Sequence, residues 1–101
     1  MEITIRTNGT SVDINILGTI KTIADGQEIK DAVRRAYEQD NGRTINVYVK
    51  DSFIITSSVI GFLIKSIKID KMALFIYVTS SELYAMLEDM NLITSMNVRK
   101  A

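Results

Sequence analysis

Three hydroxyl side chains stand in a row at Thr56, Ser57 and Ser58, directly ahead of the apolar run Val59-Ile60-Gly61-Phe62-Leu63-Ile64. The first turn of a helix carries backbone N–H groups without intrahelical acceptors, and the helix dipole adds partial positive charge there. A hydroxyl at that point can accept a bond from one of those N–H groups as an N-cap. It can equally carry a phosphate, which the same donors and dipole stabilise. One cap uses one hydroxyl, so Thr56 or Ser57 is sufficient for capping. Ser58 is then either a bystander in the first turn or a phosphate acceptor, and spacing alone leaves both open. At ~100° per residue, Ile60, Leu63, Ile64 and Ile67 share one arc and form the expected core face. Ser58, Phe62 and Lys65 fall on the opposite arc, which makes Phe62 an outward aromatic one turn from an outward serine.

Other chemistry is poorly supplied. The chain has no cysteine and no histidine, which removes disulfides, thiolate ligands, cysteine nucleophiles and the commonest general base. The carboxylates Asp25, Glu28, Asp40, Asp51, Glu82, Glu88 and Asp89 show no converging pair, and no phosphate-binding or dinucleotide glycine pattern is present. The expectation is a protein that is not an enzyme and needs no cofactor or metal.

The elements that position the hydroxyls follow from periodicity. "EITIRT" (2–7) and "SVDINILG" (11–18) alternate apolar and polar residues, and Asn8-Gly9 between them predicts a two-residue hairpin turn. Asp25, three residues before Glu28, has capping-box spacing. Ile29, Val33, Ala36 and Tyr37 then mark an amphipathic helix that Asn41-Gly42 ends. "TINVYV" (44–49) reads as a strand, and 57–68 as the helix opened by the hydroxyls. "MALFIYV" (72–78) is nearly continuous in apolar residues, as in a strand covered on both faces. Thr79 with Glu82 repeats the capping box ahead of a third helix through Leu83, Met86, Leu87 and Met90, and a short edge strand near "ITSMNVR" follows. The order β-β-α-β-α-β-α-(β) predicts an α/β fold with a mixed sheet and helices packed on it by right-handed crossovers.

The 101 residues form one domain's length, with enough apolar content, 47%, for a core. Twelve basic and twelve acidic residues balance to a formal charge of zero, and Arg34-Arg35 reads as a solvated helix face, so no nucleic-acid partner is expected. No stretch is long and apolar enough for a membrane span, and the start has no signal-peptide pattern. A cytoplasmic protein without membrane insertion is the expectation, as monomer or weak dimer.

The hydroxyl cluster, its strand and its helix together resemble a known family. The chain looks like a STAS domain of the bacterial anti-sigma-factor antagonist type, whose hallmark is Asp-Ser-Ser-Gly-Leu-Gly opening an apolar helix. Thr56-Ser57-Ser58-Val59-Ile60-Gly61 matches it at both serines and at the second glycine. The hairpin ending "INILG", the strand "INVYV" and the late "SSELYAMLEDMNLI" fall where the family's elements fall, so the resemblance covers residues 1–101 as a single STAS domain. Thr56 stands in place of the family's Asp and Val59 in place of its first Gly, and Gly18-Thr19-Ile20 leads to Lys21 where an acidic residue is common.

The resemblance implies a signalling module in a partner-switching system. Its partners would be a protein serine kinase of the anti-sigma-factor type and a cognate serine phosphatase. Ser58 would be the phosphoacceptor, ahead of Ser57 and Thr56, and Thr56, Ser57, Ser58, Val59, Phe62 and Lys65 would meet the partner. Outputs of such modules include transcription, biofilm formation and stress responses. Some STAS proteins without the full motif are instead constitutive subunits of ABC transporters, including lipid-trafficking ones, and the missing Asp and Gly favour that alternative.

Overall fold

The computed structural model describes residues 1–39 and 43–101. Its elements are β1 (Glu2–Asn8), β2 (Ser11–Leu17), α1 (Ile23–Gln39), β3 (Thr44–Lys50), α2 (Ser57–Lys68), β4 (Leu74–Val78), α3 (Ser81–Asp89) and β5 (Val98–Lys100). The five strands lie in sequence order in one mixed sheet, with β1 antiparallel to β2 and every later pair parallel. The expected Asn41-Gly42 helix end, and Asp40, lie outside the described residues.

The strand order explains where the core sits. Each parallel strand is added on the same side of its predecessor, and right-handed crossovers in one direction place every connecting helix on the same face. The buried residues agree. Ile14, Val47, Ile76 and Val98 align across four strands, flanked by Val12, Ile45 and Leu74 and by Ile16, Val49 and Val78. Ile29, Ala32, Val33 and Ala36 of α1, Leu63 of α2, and Leu83 and Leu87 of α3 join them in one core.

Among the described residues no helix lies over the opposite face, which corrects the expectation that β4 is covered on both faces. Phe75 and Tyr77 are half-buried there. Tyr77 stacks on Tyr48 of β3, ring centroids 4.8 Å apart, and the Arg99 guanidinium lies 4.9 Å from the Phe75 ring centroid. Side chains on this face thus shield one another. Desolvation by these neighbours pushes the Tyr48 hydroxyl's pKa up, helped by the negative charge of Asp13 and by Tyr77.

Three local assignments shift by one to three residues. The hairpin pairs Asn8 with Ser11, so the loop is Gly9-Thr10, with Gly9 at φ +46°. The box that opens α1 is Thr22 with Asp25, not Asp25 with Glu28. Thr22 Oγ1 accepts from the Asp25 N–H at 3.0 Å, while the Asp25 carboxylate accepts from the N–H groups of Lys21 and Thr22 at 3.1 Å each. At α3, Ser80 and not Thr79 is the cap, accepting from the Leu83 N–H at 3.1 Å. Met90 ends this helix as its C-cap and is 51% exposed, so it does not join the core stripe.

The Asp25 box makes a pH prediction. The two backbone N–H donors, Lys21 first and Thr22 second, hold the Asp25 carboxyl below its ordinary value of 3.8. A lowered folded-state value gives stability that is present above pH 3.8 and lost as pH falls through the folded value. Carbon-13 titration of the Asp25 carboxyl should therefore show a midpoint below 3.8, and it should stay below 3.8 in Thr22→Ala, which keeps both backbone donors.

Candidate functional site

The carboxyl ends of β2 and β3 lead into the two loops that start α1 and α2, and one serine fastens those loops together. Ser52, fully buried, accepts from the Ile20 N–H at 3.1 Å and donates to the Ile54 carbonyl at 2.7 Å. The two helix starts are thereby held side by side. Nothing in the sequence marked Ser52 beyond its place in a short polar break.

The hydroxyl cluster divides as its chemistry requires. Thr56, half-buried, is the N-cap of α2, with φ −76° and ψ 152°, and its Oγ1 accepts from the Val59 N–H at 3.3 Å. Ser57 and Ser58 are the first two helical residues, and both are exposed. The Ser58 hydroxyl accepts a hydrogen bond from the Lys30 ammonium, which reaches across from α1. Beside it a hollow of about 130 Å³ is lined by Lys21, Thr22, Ile23, Gly26, Gln27, Lys30, Thr56 and Ser58. Two lysines, three hydroxyl residues and the amide end of α2 therefore share one concavity.

Two expected contact residues are placed elsewhere. Val59 is fully buried. A Cβ built on Gly26 would lie 3.3 Å from Val59 Cγ2, so α1 and α2 approach closely through this glycine and valine. Val59 is thus a packing residue between helices and is not on the surface, a correction to its expected place. Phe62 is half-buried against the core, with the Arg34 guanidinium 5.2 Å from its ring centroid. It is roofed by α1 and does not point freely outward, because α2 buries Val59, Ile60, Leu63 and Ser66. That buried arc is rotated from the expected one by roughly 50°, taking ~100° per residue. Lys65 is exposed but lies about 10 Å along the helix from Ser58 by axial rise, and it pairs with Asp70 at 3.4 Å.

Apolar residues that the sequence reading passed over stand out in their place. Ile23 is 92% exposed on the first turn of α1, in the hollow with Ser58, and Phe53 and Ile54, in the loop before α2, are 59% and 46% exposed. Their signal was available: three large apolar residues in connecting segments, outside every strand and helix stripe. Gly61 adds to the exposed side of α2, since a Cβ there would meet no atom within 4 Å. The fold does not require this glycine, and its helix cost is about 0.8–1 kcal/mol relative to alanine.

Among the described residues no helix is long and apolar enough to cross a membrane. Comparison of the chain with models of known protein families and with curated proteins found no match.

Proposed function

We propose that the chain is a STAS-type, non-enzymatic partner-switching module whose binding to a serine kinase of the anti-sigma-factor type is controlled by reversible phosphorylation of Ser58. The observation that carries this reading is the setting of the Ser58 hydroxyl: exposed, in the first turn of α2, and hydrogen-bonded by Lys30. A phosphate there brings close to two negative charges to a point where the helix amides and a lysine favour them. The domain would tolerate the mark without refolding.

The partner would respond differently. Ile23, Phe53 and Ile54 offer exposed apolar surface around the same helix start, and Gly61 leaves the outer side of α2 flat for close approach. Docking onto that surface after phosphorylation requires desolvating a dianion, which opposes association. The departures from the family motif have work within the domain: Thr56 caps α2 and Val59 packs on Gly26.

Incubation with the cognate kinase and ATP is expected to add one phosphate at Ser58, and Ser58→Ala is expected to abolish it. Phosphopeptide mapping that finds the mark elsewhere, or no mark in cells, overturns the reading. Co-purification of a transporter ATPase in place of a kinase would then support the constitutive subunit.

A further inference from the structure

The two edges of the sheet differ in how they are protected. At one edge β5 has three residues, two of them Arg99 and Lys100, and short basic edges resist pairing with another chain. At the other, β1 runs seven residues in unbroken register with β2, from Glu2 opposite Leu17 to Asn8 opposite Ser11. It contains no proline, no lysine and no bulge, and it alternates Ile3, Thr4, Ile5 and Arg6. Such a strand presents unpaired N–H and C=O groups along its outer side.

From this we infer that β1 pairs antiparallel with β1 of a second copy of this chain, centred on Thr4, joining two sheets into one of ten strands. The register follows from hydrogen-bond parity and charge. A two-residue hairpin loop closes with a hydrogen-bonded pair, here Asn8 with Ser11. Pair type alternates along an antiparallel ladder, so Asn8, Arg6, Thr4 and Glu2 bond inward to β2. Ile3, Ile5 and Thr7 therefore turn their backbone groups to the free edge. Two-fold pairing must match edge-facing residues with one another, which restricts the centre of symmetry. Centring on Thr4 sets Ile3 opposite Ile5 of the second copy, twice, as the hydrogen-bonded pairs. It also sets Glu2 opposite Arg6 of the second copy, twice, and Thr4 opposite its own counterpart. Opposite charges and paired threonines both stabilise cross-strand contacts. Centring one residue earlier places Glu2 opposite threonine, and centring on Ile5 places Glu2 opposite asparagine, so neither pairs the charges.

The side chains suit the same occupant. Ile3 is half-buried and Ile5 is 44% exposed, and both line a shallow groove with Glu28, Asp31 and Arg35 of α1. The two-fold brings the four isoleucines of the two copies together on the helix side of the joined sheet, beneath a rim of both charge signs. Glu2, Thr4 and Arg6 share the uncovered face with Leu17, Asn15 and Asp13, their partners in β2. The inference does not rest on Ser58, which lies on the α2 side of α1.

Sedimentation equilibrium of the full chain tests it. The unaltered chain is expected to self-associate into dimers. Glu2→Arg and Arg6→Glu, each alone, make both cross pairs like-charged and should weaken dimerisation by at least about tenfold. An equimolar mixture of the two variants restores opposite charges in the mixed dimer only and should recover association. The doubly substituted Glu2→Arg/Arg6→Glu chain should also recover self-association, less tightly than the original because residue 6 then faces Asp13 of its own sheet. A chain that stays monomeric at several hundred micromolar overturns the inference. So does a dimer indifferent to both single substitutions, as one formed through the Tyr48 and Tyr77 face would be, or a mixture and double variant that fail to recover.

Discussion

Replacing Val59 by aspartate is expected to destabilise the domain severely, whereas the same replacement one residue earlier, at Ser58, should raise its melting temperature. Val59 has no exposed surface and sits against Gly26, where α1 and α2 approach closely. A carboxylate there is buried without a cation, a cost of about 4 kcal/mol or more. That is a large part of the ~5–15 kcal/mol that holds a domain of this size together. At Ser58 the added charge faces solvent at the amide end of α2, beside Lys30. The dipole and the lysine favour it by roughly 0.5 kcal/mol, or about 2–4 °C in melting temperature. Thermal melts of the two variants followed by circular dichroism decide the matter. A Val59→Asp protein that melts normally would refute the packing of α1 on α2. A Ser58→Asp protein that melts early would mean that charge at this point perturbs the fold, and partner control by simple repulsion would lose its basis.

The contrast between these neighbours also shows what a single sequence conveys about α2. Its bounds, 57 to 68, were plain from the hydroxyl cluster and the apolar run, and the structure has the same helix at Ser57–Lys68. Its orientation was not. Val59, Ile60, Phe62, Leu63, Ile64 and Ile67 span about 200° of the helix circumference at ~100° per residue, so periodicity does not choose one arc. The choice is made by α1, which packs on α2 as well as on the sheet and so draws Val59, Phe62 and Ser66 inward. Ser66 is tolerated in the core because it is small and its hydroxyl donates to the Phe62 carbonyl at 2.9 Å. The uncovered sheet face was illegible for a related reason. A continuous apolar strand reads the same whether helices or other side chains shield it. In β4 the shielding comes from Tyr48 and Arg99, on neighbouring strands far apart in sequence. Capping residues were misplaced by smaller margins, since Thr22, Asp25, Thr79 and Ser80 all have suitable side chains and only backbone geometry distinguishes them.

Ser52 is where the fold and the candidate site depend most on one hydroxyl, and Ser52→Ala is expected to cost about 2 kcal/mol. The argument rests on what is left behind. With the hydroxyl gone, the Ile20 N–H is buried without its acceptor, since Ser52 Oγ is the atom it meets at 3.1 Å in fully buried surroundings. The Ile54 carbonyl loses a donor too, but Ile54 is 46% exposed and water can replace it. The penalty therefore falls mainly on the first loop, the one that carries Lys21, Thr22 and Ile23 to the hollow beside Ser58. Urea denaturation measures the stability loss, and hydrogen exchange at the Ile20 amide locates it. Both should change together, with exchange at Ile20 accelerated beyond what the global loss explains, because one loop is released from the other before the core opens. A variant within about 0.5 kcal/mol of the original, the range of an ordinary surface substitution, with unchanged Ile20 exchange would show that the two helix starts are aligned by the contacts between α1 and α2 without Ser52. If the expected loss is found, the presentation of Ser58 and Lys30 depends on a serine that touches neither of them.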